Sequence, residues 1–189
     1  MKRIFYNIQK IFPLTEDAFD ALMNSARITH FQKNEFFLTE GEVCTSIGFI
    51  ESGSMRLFYN SPDREACNDF FFENSVVGSF ASFLSETPSI VNIVAIENCE
   101  VIQFSKQHIE QLTEQHPTLK QLSDFIVQEH FIRTEKREEA LLKFSPELRF
   151  KNLLEEHPKI FKRIPLHYVA SYLNITPETL SRYRARFLV

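Results

Sequence analysis

Apolar and polar positions recur with a different period in different parts of this chain, and the changes of period mark its elements. In Thr15-Glu-Asp-Ala-Phe-Asp-Ala-Leu-Met, the residues Phe19, Leu22 and Met23 share one helical face. Thr15 stands where a hydroxyl can cap the first turn, so a short helix is predicted there. From Arg27 to about Phe104 the apolar pieces become short, at 28–31, 36–38, 47–50, 55–59, 68–72, 90–95 and 101–104. Gly41, Gly53, Ser61-Pro62, Glu73-Asn74, Pro88 and Glu97-Asn98 separate them. Many strands at short spacing predict an antiparallel sandwich or barrel. Met55-Arg-Leu-Phe-Tyr alternates as a half-buried strand does, whereas Phe70-Phe-Phe reads as buried on both faces.

Beyond Phe104 the period becomes helical. Residues 105–112 form a short predicted helix, and Pro117 opens a long one running to about Phe144. Along it Leu119, Leu122, Ile126, Glu129, Arg133, Lys136 and Ala140 follow steps of three and four, apolar first and charged later. Such a helix either covers the β-rich body throughout, or does so with its first half and pairs with a second copy along the rest. The second reading is preferred here. Lys143-Phe-Ser-Pro is a natural hinge, and Ser145-Pro146 starts a further helix through about Glu156, which His157-Pro158 ends.

The stretch from Arg163 to Arg182 reads as two short helices around a tight turn. Val169, Ala170 and Leu173 share one face, and the small Ala170 lets a second helix cross closely. Asn174 is one of the few non-glycine residues that tolerate the left-handed region, and Ile175 can plug the corner. Thr176-Pro177-Glu178 is a helix-start signal: hydroxyl, proline, then an acid in the first turn. On the second helix Leu180 and Phe187 face inward while Glu178, Ser181 and Arg182 share the outward face. A carboxylate can accept from cytosine N4, and a guanidinium can bind guanine O6 and N7 with two hydrogen bonds, so this edge suits a DNA major groove. The competing reading is a surface helix with an i,i+4 Glu178–Arg182 ion pair.

Composition sharpens this picture. At 43% hydrophobic residues, 189 residues can build one large core or two smaller ones. Residues 143–189 carry nine Lys/Arg against four Asp/Glu, a net +5, while the rest of the chain carries −9. A basic module on an acidic body fits a nucleic-acid contact confined to one end. Cys44, Cys67 and Cys99 are too widely spaced for a zinc pattern or disulfide framework and read as buried free thiols. The N-terminal ten residues lack the apolar core of a signal peptide, and no apolar run is long enough to span a bilayer, which places the protein in the cytoplasm without a membrane partner.

The order of β-rich body, long helix and two-helix end resembles the cyclic-AMP receptor protein and fumarate–nitrate regulator (Crp/Fnr) superfamily of transcription factors. Gly41-Glu42 and Phe49-Ile-Glu-Ser-Gly53-Ser-Met-Arg-Leu-Phe-Tyr59 resemble the glycine-marked turns of its effector domain. Val77-Gly-Ser-Phe-Ala-Ser-Phe83 stands in the place of its phosphate-binding cassette, and the segment from Ser145 through Arg182 is similar to regulators of this family from Bacteroidetes. The resemblance implies an α+β chain: an antiparallel β-roll, or jelly roll, of cyclic-nucleotide-binding type over 1–116, a long dimerisation helix over 117–144, and a helix-turn-helix over 145–189. It implies a non-enzymatic, dimeric, sequence-specific DNA-binding regulator whose partners are double-stranded DNA, a second copy of itself and RNA polymerase. The family's E-x-x-S-R reading pattern falls on Glu178, Ser181 and Arg182, which implies twofold-related half-sites resembling TTGA.

Two departures qualify what carries over. Cyclic-AMP binders follow the cassette glycine with a glutamate and hold the phosphate with an arginine; here Ser79 and Ser89 stand in those places, and no arginine lies between Arg64 and Arg133. A desolvated phosphate needs a paired charge, so cyclic AMP is not expected to bind in the usual way. The effector pocket expected from Gly78, Ser79, Phe80, Ala81, Ser82, Ser89 and Ile90 either takes another small-molecule effector or is filled by Phe80 and Phe83. No cofactor or metal is expected: there is no cysteine before Cys44 for a cluster, and the histidines show no ligand spacing. The chain also ends at Val189, without the wing that many relatives carry. Contacts to the DNA backbone are therefore expected from Thr176, Thr179, Lys162, Arg163, Arg184 and Arg186, with Phe187 and Leu188 packing back on the first helices. The alternative reading is a sensor or scaffold whose DNA binding has degenerated.

Overall fold

The computed structural model describes residues 12–158 and 160–187. The N-terminal ten residues read above for a signal peptide, and Leu188, lie outside the described residues. Two compact units are present. One comprises the chain up to Leu57 together with Phe70–His130; the other comprises Phe58–Asp69 together with the chain from Phe131 onward.

The first unit is built on two four-stranded sheets. Strands β1 (Arg27–Phe31), β8 (Cys99–Ser105), β3 (Ser46–Ser52) and β6 (Val76–Val77) lie side by side in that order. Each pairing in this sheet is antiparallel. The second sheet has the order β2 (Phe36–Leu38), β7 (Asn92–Ala95), β4 (Met55–Ser61), β5 (Arg64–Phe71). Residues from both sheets, among them Phe31, Ile50, Met55, Phe71, Ile93 and Val101, bury their side chains in one shared core. The expected antiparallel β-roll is therefore present. β6 and the early start of β5 were not legible, because Val76–Val77 is too short to show a period and Arg64–Asn68 is polar. Phe70 and Phe71 are both buried on adjacent positions, so opposite faces of β5 are covered.

Turns form where the sequence places permissive residues. Gly53, between β3 and β4, has φ +94°, and a side chain there would lie 2.5 Å from the Asn98 carbonyl oxygen. β4 and β5 are joined by a two-residue turn at Pro62-Asp63. Cys44, Cys67 and Cys99 are buried thiols outside any disulfide, as expected.

Helix α1 (Glu16–Asn24) starts at Thr15, whose hydroxyl accepts from the Ala18 N–H at 3.3 Å. Its Ala18 and Phe19 pack with Phe49, Ile102 and Phe104 of the first sheet, and Leu119 and Leu122 join the same cluster. Helix α2 (Phe80–Ser85) follows β6, and α3 (Lys106–Gln115) follows β8 behind a Ser105 cap. Helix α4 (Pro117–Lys143) is the long helix predicted from Pro117. Among the described residues no helix is long and apolar enough to cross a membrane.

The second unit holds the C-terminal helices: α5 (Pro146–Glu156), capped by Ser145, then α6 (Ile160–Arg163), α7 (Leu166–Tyr172) and α8 (Pro177–Phe187). Its interior is Phe150, Leu153, Ile160, Ile164, Val169, Ala170, Leu173 and Leu180. Phe150 is fully buried and packs in tilted ring contacts at centroid distances of 5.2 Å on Phe161 and 5.5 Å on Tyr183. The four-residue α6 was not foreseen, being too short for any periodicity to announce it.

Candidate nucleic-acid interface

The turn between α7 and α8 follows from four residues. Asn174 adopts φ +50°. Its N–H donates to the Ser171 carbonyl and the Ile175 N–H donates to the Ala170 carbonyl, each at 3.0 Å. This pair of bonds is the Schellman arrangement, which needs a left-handed residue just past the helix end and brings an apolar side chain back over the last turn. Ile175 is that residue. Val169, Ala170 and Leu173 are buried together with Leu180, which fixes the crossing of the two helices.

α8 then opens on Thr176, whose hydroxyl accepts from the Thr179 N–H at 3.3 Å. The Thr176 hydroxyl and the N–H of Glu178 itself hold the Glu178 carboxyl below the usual carboxylate range, so it is ionised near neutrality. Glu178, Ser181 and Arg182 are all exposed on one face, and no ion pair joins Glu178 to Arg182 among the described residues. The salt-bridged surface helix is therefore not what forms. The far end of α8 turns inward: Phe187 lies 5.9 Å from Phe150 and under the Lys151 ammonium at 4.7 Å.

The expected backbone-contacting residues are less uniform. Thr176, Lys162 and Arg186 are exposed, while Thr179, Arg163 and Arg184 are half-buried. Arg186 is held by Glu147 at 3.1 Å, and the Nε of Arg184 is buried. Three further arginines, which the sequence alone did not single out, gather behind the turn. Arg149 is buried and donates from Nε to the Leu173 carbonyl at 3.1 Å and from Nη1 to the Phe144 carbonyl at 2.7 Å. Arg137 donates to the Tyr172 carbonyl and lies 3.8 Å over the Tyr172 ring. Burial pushes the Arg137 guanidinium down and the Tyr172 phenol up from their ordinary values. Arg64 donates to Asn174 Oδ1 at 3.0 Å. No periodicity could have revealed Arg137 or Arg149, since an arginine inside a helical pattern reads as surface.

In the first unit the seven expected effector-site residues lie on α2, just before it and in the segment leading to β7. Gly78 packs against Ile47, Ser79 is buried at the start of α2, and Phe80 stacks on His130 at 4.3 Å. The Ser82 hydroxyl accepts from the Cys44 N–H at 3.0 Å, and Phe83 lies in the core between the sheets. Ser89 is buried and its hydroxyl bonds both the N–H and the carbonyl of Val91. Ala81 is exposed and Ile90 is 67% exposed. A cleft of about 320 Å³ nearby is lined by Phe37, Leu38 and residues 42–46, all outside the expected set. Among the described residues no group of three or more His, Cys, Asp or Glu side chains stands close enough to hold a metal.

Comparison with known proteins agrees with this architecture. Residues 28–116 match the cyclic nucleotide-binding domain family. The chain is similar to FixK2 from Bradyrhizobium japonicum with a TM-score of 0.76 at 16% identity, covering 86% of this chain and 84% of that one. A regulator assigned to the Crp/Fnr family from Eubacterium rectale gives 0.68 at 16% identity, with 93% and 84% covered. The chain has the Crp/Fnr fold. The c-di-GMP-responsive global regulator CLP of Xanthomonas campestris is similar along 92% of both chains, with a TM-score of 0.67 at 15% identity. No curated protein matches the chain by sequence. The segment matched by the family model, 28–116, lies in the first unit.

Proposed function

We propose that this protein is a sequence-specific DNA-binding transcription regulator of the Crp/Fnr type. The observation that carries the reading is α8: a Thr176-capped helix behind a Schellman turn, with an ionised Glu178, Ser181 and Arg182 exposed along one face. Glu178 and Arg182 would read base edges in the major groove. Thr176, Thr179, Lys162, Arg163, Arg184 and Arg186 would lie along the phosphates and set the register without specifying bases.

The protein acts as a dimer, each copy placing one α8 in a half-site. Support comes from α4, whose second half leaves Phe131 64% and Leu142 77% exposed. Eleven residues are close to three helical turns, so the two lie on one line of the helix. The β-roll senses a signal other than cyclic AMP held in the usual way, which the serines at 79 and 89 and the inward Phe83 support. RNA polymerase is the further partner that such regulation requires.

The test is selection of binding sites from random DNA, followed by footprinting of variants. Arg182→Ala should abolish sequence-selective protection, and Arg186→Ala should weaken binding evenly across sequences. A footprint unchanged by Arg182→Ala would sink the assignment.

A further inference from the structure

Four consecutive residues at the end of α7, Ser171-Tyr172-Leu173-Asn174, are held by three elements of the second unit. The Ser171 hydroxyl accepts from the Cys67 N–H at 2.9 Å and donates to the Glu65 carbonyl at 3.0 Å. β5 is the edge strand of its sheet, so these outer backbone groups face no further strand. The Tyr172 carbonyl accepts from Arg137 of α4. The Leu173 carbonyl accepts from Arg149 of α5, which also holds the Phe144 carbonyl at the end of α4. Asn174 Oδ1 accepts from Arg64 at the hairpin tip. Nearby, Arg133 pairs with Asp69 of β5.

The chemistry at this point is specific. The last carbonyls of a helix have no partner within it and carry the negative end of its dipole. Two guanidinium groups meet that need, from two separate helices. The hairpin meets the remaining polar groups of the turn. Two residues beyond Asn174 the reading helix begins at Thr176-Pro177. Its N-terminus is thus fixed from three elements, none of which covers Glu178, Ser181 or Arg182. The long helix and the junction at Phe144-Ser145 are tied to the turn rather than free of it.

We infer that residues 171–174 are the seat on which the β4–β5 hairpin and the long helix hold the reading helix in its DNA-competent orientation, with Arg64, Ser171, Arg137 and Arg149 as positioning residues that do not touch DNA. This rests on the DNA-binding reading above.

Two readouts test it. The first is affinity for the selected site as a function of salt. Ser171→Ala and Arg64→Ala should each weaken binding about two- to tenfold, the worth of a single hydrogen bond. Sequence preference and the slope of log K against log salt should stay at the wild-type values, and Ser171→Thr should restore affinity. A slope reduced by about 0.9 in Arg64→Ala would mean that Arg64 touches a phosphate, and overturns the inference. Unchanged or tighter binding by both variants overturns it too, the latter making the contact inhibitory. Arg64 is exposed, so its variant folds even if Ser171→Ala does not.

The second readout needs no DNA. Amide exchange at Asn174 and Ile175 should speed up severalfold in both variants, and unchanged exchange overturns the seat. Wild-type protein that binds no selected DNA, with exchange responding as expected, would instead refute the DNA-binding reading and leave the seat standing as a structural device.

Discussion

Single residues decide whether two of the turns close at all. Gly53 combines φ +94° with a backbone approach that leaves no room for a methyl group, 2.5 Å from both the Asn98 oxygen and the Cys99 sulfur. Gly53→Ala should lower stability by about 2–3 kcal/mol through strain and displacement of backbone, read as a lowered urea midpoint with unchanged m-value. Asn174, at φ +50°, needs no glycine because Asn tolerates that region and its side chain is held by Arg64. Glu178 makes a pH prediction. Its carboxyl is held below the ordinary range, so any contribution of its charge is present above that range and is lost only as pH falls through the lowered value. If Glu178 reads a base as proposed, discrimination at that base should therefore be flat between about pH 6 and pH 8. Competition binding at the two pH values checks this, and a change at that position would place a different titrating group in the contact. Gly53 and Asn174 were readable in advance, as types that permit positive φ. The buried Arg149 was not, since its role depends on carbonyls at Phe144 and Leu173 that only the packed helices bring together.

Among the elements, the caps were the most legible. Thr15, Ser145 and Thr176 each stand one residue before a helix and accept from the backbone N–H of its third residue, because capping is a local bond that needs no distant partner. The long helix was legible in extent and less so in orientation. The stripe through Leu119, Leu122 and Ile126 packs on the helix's own β-roll as expected. The charged half of that stripe was assigned to a second copy, yet Arg133 pairs with Asp69 of its own chain. The exposed apolar line through Phe131 and Leu142 runs along a different face. If that line joins two copies, Phe131→Asp with Leu142→Asp should convert the protein to monomer in sedimentation experiments. The unfolding midpoint of the isolated chain should stay put, because both side chains are already in water. A variant that still sediments as a dimer would move the interface elsewhere.

At the scale of the whole molecule, the sequence by itself determined the period of each segment, the caps and breakers between segments, and the basic character of the end that carries α8. These are short-range properties, written within a few residues of where they act. From them came the β-roll, the long helix and the two short helices at the C-terminal end. Tertiary structure alone decided which distant residues share a unit and what the polar ones do there. The hairpin Phe58–Asp69 groups with the C-terminal helices rather than with its neighbours in sequence. Arg64 and Asn174 meet across 110 residues, and Glu65 and Ser171 across 106. The serines at 82 and 89 spend their hydroxyls on backbone, and Phe83 fills the core between the sheets. The physical reason is that an unpaired carbonyl or edge-strand amide takes whatever donor or acceptor the closed chain brings within about 3 Å. Hydrophobic period records which face must be buried and carries no record of that choice.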